Sequence, residues 1–268
     1  PGPGFLVGHQ NTNWQGDQVR DFASEFAREG WLQSSAVQNQ MYTQTYQETF
    51  NVRANLEPIK YLKIELTANR NISQNQSSFF RYDEDAGEFR YDSPNNIGQF
   101  SATVMSWNTA FVEDEVDDEF NSETWDYFLQ QARLKVSKRL NDATYQLDNP
   151  ENTGYYTGFG GTSQNVTIPA FVAAYLGVDA EDVPLDVFNT PIAPNWRVTF
   201  DGLTKNPFFK QYFKRFNLSH SYRSTLTTNY VTNLNYEEDA FGNPTAIDQS
   251  EFGNYISERQ FNVVSLSE

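Results

Sequence analysis

The chain has 268 residues, with 35 Asp plus Glu against 19 Lys plus Arg, for a formal charge of −16. Such acidity excludes a general nucleic-acid binder, which needs a basic face for phosphates, and docking on anionic lipid through a polybasic patch. The absence of Cys removes disulfide frameworks, thiolate zinc sites and Cys nucleophiles together. His9 and His220 lie too far apart in sequence for a His-rich metal site. Aromatic residues reach 16% while mean hydropathy is only −0.66. Acidic disordered chains lack aromatics, so this chain folds, but not around an ordinary aliphatic core.

Residues 1–41 show neither a basic n-region nor an apolar h-region, and we read them as an extramembrane lead-in. Both ends look cut, which predicts a segment of a longer polypeptide. No apolar run is long enough for a transmembrane helix. The β route into a membrane stays open, because its signal is alternation.

Residues 42–57 alternate. Tyr46, Phe50, Val52, Ala54 and Leu56 fall on one face, with Glu48 the single misfit; Thr45, Gln47, Thr49, Asn51, Arg53 and Asn55 fall on the other. A turn at Pro58–Tyr61 follows. Then Leu62, Ile64, Leu66 and Ala68 alternate with Lys63, Glu65, Thr67 and Asn69, completing a hairpin. Residues 71–96 read as a polar, turn-rich loop, and 97–111 as a third strand with mixed faces. The acidic run 113–119 leads to a helix over 123–141. A Gly-rich loop (154–161) and a short buried helix, Pro169–Gly177, come next. In 195–227 alternation returns: Trp196, Val198 and Phe200 oppose Arg197, Thr199 and Asp201. After the connection 203–215, Phe216, Leu218, His220 and Tyr222 oppose Asn217, Ser219, Ser221 and Arg223. A polar excursion over 228–254 leads to a sixth strand in 255–266.

The fold class is therefore all-β. The residues fit an arc of a large antiparallel transmembrane β-barrel over 42–111 and 195–227, interrupted by a mixed α/loop insertion at 112–194 that forms a cap or fills the lumen. A soluble β-rich domain also alternates. The longer strands, with about 11–16 residues, exceed the five or six typical of globular sheets, and aromatics gather at strand ends as at a membrane interface. In a barrel, Phe50, Val52, Ala54, Leu56, Leu62, Ile64, Leu66, Trp196, Val198, Phe200, Phe216, Leu218 and Tyr222 face lipid. Asn51, Arg53, Asn55, Glu65, Thr67, Asn69, Arg197, Asp201, Ser219, Ser221 and Arg223 face the lumen. One conflict stands out. Short turns belong on one rim of such a barrel and long loops on the other, yet the third strand, due a short turn, is followed by about 80 residues. Either a strand hides in 112–194, with 163–174 the candidate despite Pro169, or the insertion lies on the periplasmic side or in the lumen.

Residues 194–227, PNWRVTFDGLTKNPFFKQYFKRFNLSHSYRSTLT, resemble the SprA/Sov family of the Bacteroidota. The carrying residues are Pro194, Asn195, Trp196, Arg197, Asp201, Gly202 and Leu203, then His220, Tyr222 and Arg223. ANLEPIKYLKIELTAN (54–69), Gly30-Trp31-Leu32 and GGTSQNVTIPAFVAA (160–174) are similar to further family stretches in the expected order. The resemblance implies part of the outer-membrane translocon of the type 9 secretion system, a protein-transport channel also needed for gliding motility. It would sit in the outer membrane and export folded cargo proteins to the cell surface. Its implied partners are secreted cargo, other outer-membrane and periplasmic components of the system, and the lipid bilayer. No enzyme activity and no cofactor are implied. A soluble secreted binding module for glycan or protein, and a smaller nutrient-uptake barrel, remain as alternatives.

Other chemistry is thin. The acidic run 113–119 lacks the spaced Asp/Asn-Gly pattern of a calcium loop and reads as a solvated loop, and no metal site is expected. Paired carboxylates near aromatics could be forced into a glycosidase role, with nothing to fix their separation. Gly154–Gly161 has neither Walker nor dinucleotide spacing. His220 reads as a packing residue. The basic, aromatic turn Lys205–Arg215 reads as an interface anchor.

Overall fold

In a computed structural model of the chain, residues 22–35, 37, 40–110, 122–140, 154–240, 243–249 and 253–267 are described. The acidic run 113–119 lies outside them. The elements are α1 (Phe22–Arg28), β1 (Tyr42–Ile59), β2 (Leu62–Asp83), β3 (Glu88–Thr103), α2 (Trp107–Ala110), α3 (Glu123–Tyr127), α4 (Arg133–Leu140), α5 (Gln164–Leu176), β4 (Asn195–Phe200), α6 (Pro207–Tyr212), β5 (Leu218–Tyr222), β6 (Thr225–Thr232) and β7 (Arg259–Ser267). A π turn, Phe128–Ala132, joins α3 to α4. The described strands form one mostly antiparallel sheet in the order β5-β4-β2-β3-β6-β7, with β1 also on β2.

Two compact units divide the chain, one taking residues 1–44 and 76–95 and the other residues 45–75 and 96–268. In the first unit, the segment expected to be loop (71–96) is a hairpin instead. Asn, Ser and Gln, read as turn formers, alternate along β2 and β3, where cross-strand pairing outweighs their weak strand preference. The turn itself is at 84–87. Asp83 Oδ1 accepts from the backbone N–H groups of Asp85 and Ala86 at 3.0 and 3.1 Å, and Gly87 takes the positive φ of +70° that closes it. Phe80 stacks on Phe89 and tilts against Tyr91, and Arg81 pairs with Asp92.

In the second unit, β3 and β4 lie end to end beside β2. Thr103 Oγ1 accepts from the Asn69 N–H, while two residues earlier on β2 Thr67 pairs with Asn195. On the far side, β6 pairs with β3 and β5 pairs with β4, both antiparallel, and only Arg223 and Ser224 separate β5 from β6. β3 and β4 therefore make one strand in two pieces, and the insertion leaves and re-enters at the break. This removes the parity conflict. No strand hides in the described part of the insertion, and of 163–174 all but the N-cap Ser163 lies within α5. The third strand ends at Thr103, not residue 111, because the chain turns out of the sheet and Trp107 begins a helix. The expected strand 216–227 is broken, and Phe216 lies in the connection, against Phe209 and Phe213.

The insertion packs on the apolar side of this sheet. Phe188 meets Phe100 at 5.3 Å, Tyr230 at 5.5 Å and Phe261 at 6.3 Å between ring centres. Phe100, Ala102, Val104, Leu226 and Tyr230 are all buried beneath it. α5 is apolar on every side, with Val166, Ala170, Ala173 and Leu176 buried, as suits a central helix. It ends at Gly177, whose φ of +64° carries the left-handed cap. A Cβ there would sit 2.5 Å from that of Asn108, so this glycine also lets α2 approach closely.

The basic residues of α4 bind particular carbonyls as well as suiting the helix dipole. Arg133 donates to the Gly161 carbonyl at 3.0 Å, and Arg139 to those of Ala180 and Val183, each at 2.7 Å. The Gly-rich loop is held from two directions: the Ser137 hydroxyl donates to the Phe159 carbonyl, and the Gly160 N–H donates to Asn254 Oδ1. Gly158, at φ +78°, leaves room for the Tyr255 ring. The loop is thus a packing device, and Gln164 adds a two-bond clamp on the Phe261 backbone.

Candidate functional site

Two ion pairs put β1 and β2 in the same face register. Arg53 reaches Glu65 at 4.0 Å and Glu48 reaches Arg70 at 2.8 Å, so even-numbered residues of both strands share one face. The ladders extend this to Leu62/Phe200/Leu218, Ile64/Val198/His220 and Leu66/Trp196/Tyr222. The residues expected on the apolar face therefore do share a face, Phe216 excepted. Phe50, Val52, Leu56 and Leu218 are 45–56% exposed on it, and Ala54, Leu62, Ile64, Leu66, Val198 and Phe200 are part-buried.

The end of this face nearest the strand break carries an aromatic cluster built from the family-like residues. Trp196 stacks on Tyr222 at 4.3 Å, and Trp107 from the start of the insertion lies 5.1 Å from Trp196 and 5.7 Å from Tyr222. His220 accepts at Nδ1 from the Trp196 Nε1–H at 3.3 Å, which makes it a packing residue. The Tyr222 hydroxyl accepts from the Ser106 N–H at 2.7 Å and bonds the Ser106 hydroxyl at 2.8 Å, which in turn donates to Ser224. Asn195 Oδ1 accepts from the Ser224 N–H at 2.8 Å. The W-R, N-W and H-S-Y-R-S strings thus mend a broken strand. Gly202 follows β4, where a Cβ would lie 2.6 Å from the Phe200 ring; Asp201, just beyond the strand, donates its N–H to the Tyr61 carbonyl. Pro194 precedes β4, and Leu203 is in the 3-10 turn Gly202–Lys205.

The opposite, polar face holds a depression of about 480 Å³, lined by Arg53, Glu65, Thr67, Asn195, Arg197, Ser219, Ser221 and Arg223 and bordered by Trp196 and Tyr222. Seven residues expected on the lumen face meet there. Asn51, Asn55 and Asn69 lie on the same strands but outside it, and Asp201 is beyond the strand end. Across the ladder, Glu65 faces Arg197 and Arg197 faces Ser221.

Sequence reading missed the partners: Arg70 for the misfit Glu48, Ser106 for Tyr222, Ser224 for Asn195. Only Glu48 left a signal, a carboxylate on an apolar register that demands a cation. Among the described residues no group of three or more His, Asp or Glu is arranged to hold a metal ion. A scan against protein-family models and a search of curated proteins returned no match to this chain.

Proposed function

We propose that the chain is a piece of wall from an outer-membrane β-barrel of the SprA/Sov kind, which conducts folded cargo proteins to the cell surface in type 9 secretion and gliding. The observation that carries this is the divided chemistry of one sheet. Its apolar face keeps Phe50, Val52, Leu56 and Leu218 about half exposed, while its other face is mainly Asn, Ser, Thr and Arg. On β1 the apolar register runs from Phe50 to Leu56, within a strand of 18 residues, Tyr42–Ile59, longer than the roughly nine to eleven that a tilted strand needs to cross a bilayer. No helix among the described residues is long and apolar enough to cross a membrane; strands would do it.

In this reading the polar face lines the channel, which needs no chemistry on cargo. The insertion, packed on the apolar side at β3 and β6, sits against the outer side of the wall beyond the bilayer, and not in the lumen. The ladder across the break keeps the wall continuous where the chain departs.

The test is an arginine pair on each face of the intact protein: Val52→Arg and Leu218→Arg against Asn51→Arg and Ser219→Arg. A lipid-facing midplane Arg costs about 2–4 kcal/mol in a barrel, so the first pair should lower the folded, membrane-extracted fraction and the second should not. Equal tolerance on both faces removes the reading. A monomer that is soluble and cooperatively folded without detergent replaces it with a binding module.

A further inference from the structure

We infer that the arginine-lined depression on the polar face is a docking site for an acidic polypeptide segment. In a chain of charge −16, this depression gathers Arg53, Arg197 and Arg223 around the single carboxylate of Glu65. The excess of cations therefore runs against the composition.

Glu65 does not consume them. Its contact with Arg53 is 4.0 Å long, with the two side chains 47% and 68% exposed, and a pair of that kind contributes little. The guanidinium groups of Arg197 and Arg223 make no ion pair or hydrogen bond among the described residues. Arg suits carboxylates because its planar fork donates two parallel N–H bonds, which Lys does not. The volume is in the range of ligand pockets.

The spacing selects a polypeptide over one small anion. Arg53 is on β1 and Arg197 on β4, with β2 between them, so their backbones are about 10 Å apart at the usual strand separation. Glu65 stands in that gap, opposite Arg197 in the ladder, and repels an anion placed centrally. Two carboxylates, one on each side of Glu65, avoid it. An extended acidic segment lying across the strands supplies them, with the Ser219 and Ser221 hydroxyls as further partners. The site does not depend on what the opposite face meets, so its fate is separate from that of the lipid-facing register.

The test uses the intact protein in a zwitterionic detergent and a fluorescein-labelled ten-residue peptide alternating Glu and Ser, with a Gln/Ser peptide as control, read by fluorescence anisotropy. The Glu peptide should bind saturably and at least tenfold tighter than the Gln peptide, weakening as salt rises. Arg197→Gln with Arg223→Gln should lose at least tenfold. Arg197→Lys with Arg223→Lys, which keeps both charges and the fold but not the forks, should fall between. Lys210→Gln with Lys214→Gln, on the connection between β4 and β5 and outside the lining, should stay within twofold. Undiminished binding by the double Gln variant, equal binding of the two peptides, or saturable inorganic phosphate binding without peptide binding would each overturn the assignment.

Discussion

The hydroxyl of Tyr222 is the point at which the broken strand is most easily tested. Tyr222→Phe removes one oxygen and leaves the ring. Trp196 at 4.3 Å and Trp107 at 5.7 Å keep their partner, so packing is unchanged. What changes is Ser106, fully buried at 0% exposure, whose N–H loses its 2.7 Å acceptor in a place water does not reach. An orphaned buried donor costs about 1–3 kcal/mol. The second bond, from the Ser106 hydroxyl, matters less because that hydroxyl also has Ser224 at 2.9 Å. The expected loss is about 2 kcal/mol. Ser106→Ala, which keeps the N–H bond and removes only hydroxyl contacts, should cost about 1 kcal/mol. The two should not add, because they share a network. The assay is urea unfolding of the intact protein in detergent, followed by tryptophan fluorescence, since Trp107 and Trp196 flank the ring. A Tyr222→Phe variant within about 0.5 kcal/mol of the parent, the range of ordinary surface changes, would refute the account, as would Ser106→Ala costing more than Tyr222→Phe.

Three further outcomes are expected. Gly98→Ala would place a Cβ 2.1 Å from the Tyr230 ring, itself only 2% exposed, and overpacking of this kind should lower stability by about 1–3 kcal/mol in the same urea assay. Glu48→Leu removes the carboxylate that Arg70 and the Tyr46 hydroxyl each bond at 2.8 Å, for a loss of about 1–3 kcal/mol; adding Arg70→Met should recover part of it. In the insertion, the Lys135 ammonium donates to Asp179 at 2.8 Å, which lowers the Asp179 carboxyl below its ordinary 3.8 and raises Lys135 above 10.5. The Asp179 contribution is therefore present above pH 3.8 and lost as pH falls through the lowered value, and the Lys135 contribution disappears above 10.5. The urea midpoint of the parent should fall more steeply than that of Asp179→Asn below pH 3.8, and should be flat in both through neutrality.

Alternation made the first hairpin, β4 and the two-faced chemistry legible, because a period of two in side-chain polarity is a local property of the chain. Length of strand was not. β2 runs on to Asp83 through Asn71, Ser73, Asn75 and Ser77, residues whose local preference is for turns and whose strand conformation comes from neighbours on either side. The seam at Thr103–Asn195 was invisible for a stronger reason. Nothing local distinguishes a strand that ends from one that pauses for the insertion and resumes in the same lane. Both look like alternation stopping. Seven polar residues of the depression were identified with the right face, but their convergence is a product of register between β1, β2, β4 and β5, which single-strand patterns do not contain.

A strand cut in two needs a reason to stay aligned, and the contacts at the break supply it. The Ala193 N–H donates to the Thr103 carbonyl and the Val104 N–H to the Ser224 carbonyl. Asn195 and Thr103 contribute side-chain bonds across to Ser224 and Asn69. Both stumps are thus tied to each other and to intact strands on each side. The insertion is nevertheless no separable domain, because its Phe188 and the sheet's Phe100 and Tyr230 belong to one core. A change in the insertion is felt at the seam through Ser106 and Trp107, a few residues from where Arg223 joins the depression on the other face. Tyr222 is the short physical link between the two. Its hydroxyl holds the insertion on one face, the residue itself borders the depression on the other, and its neighbour carries one of the three guanidinium groups.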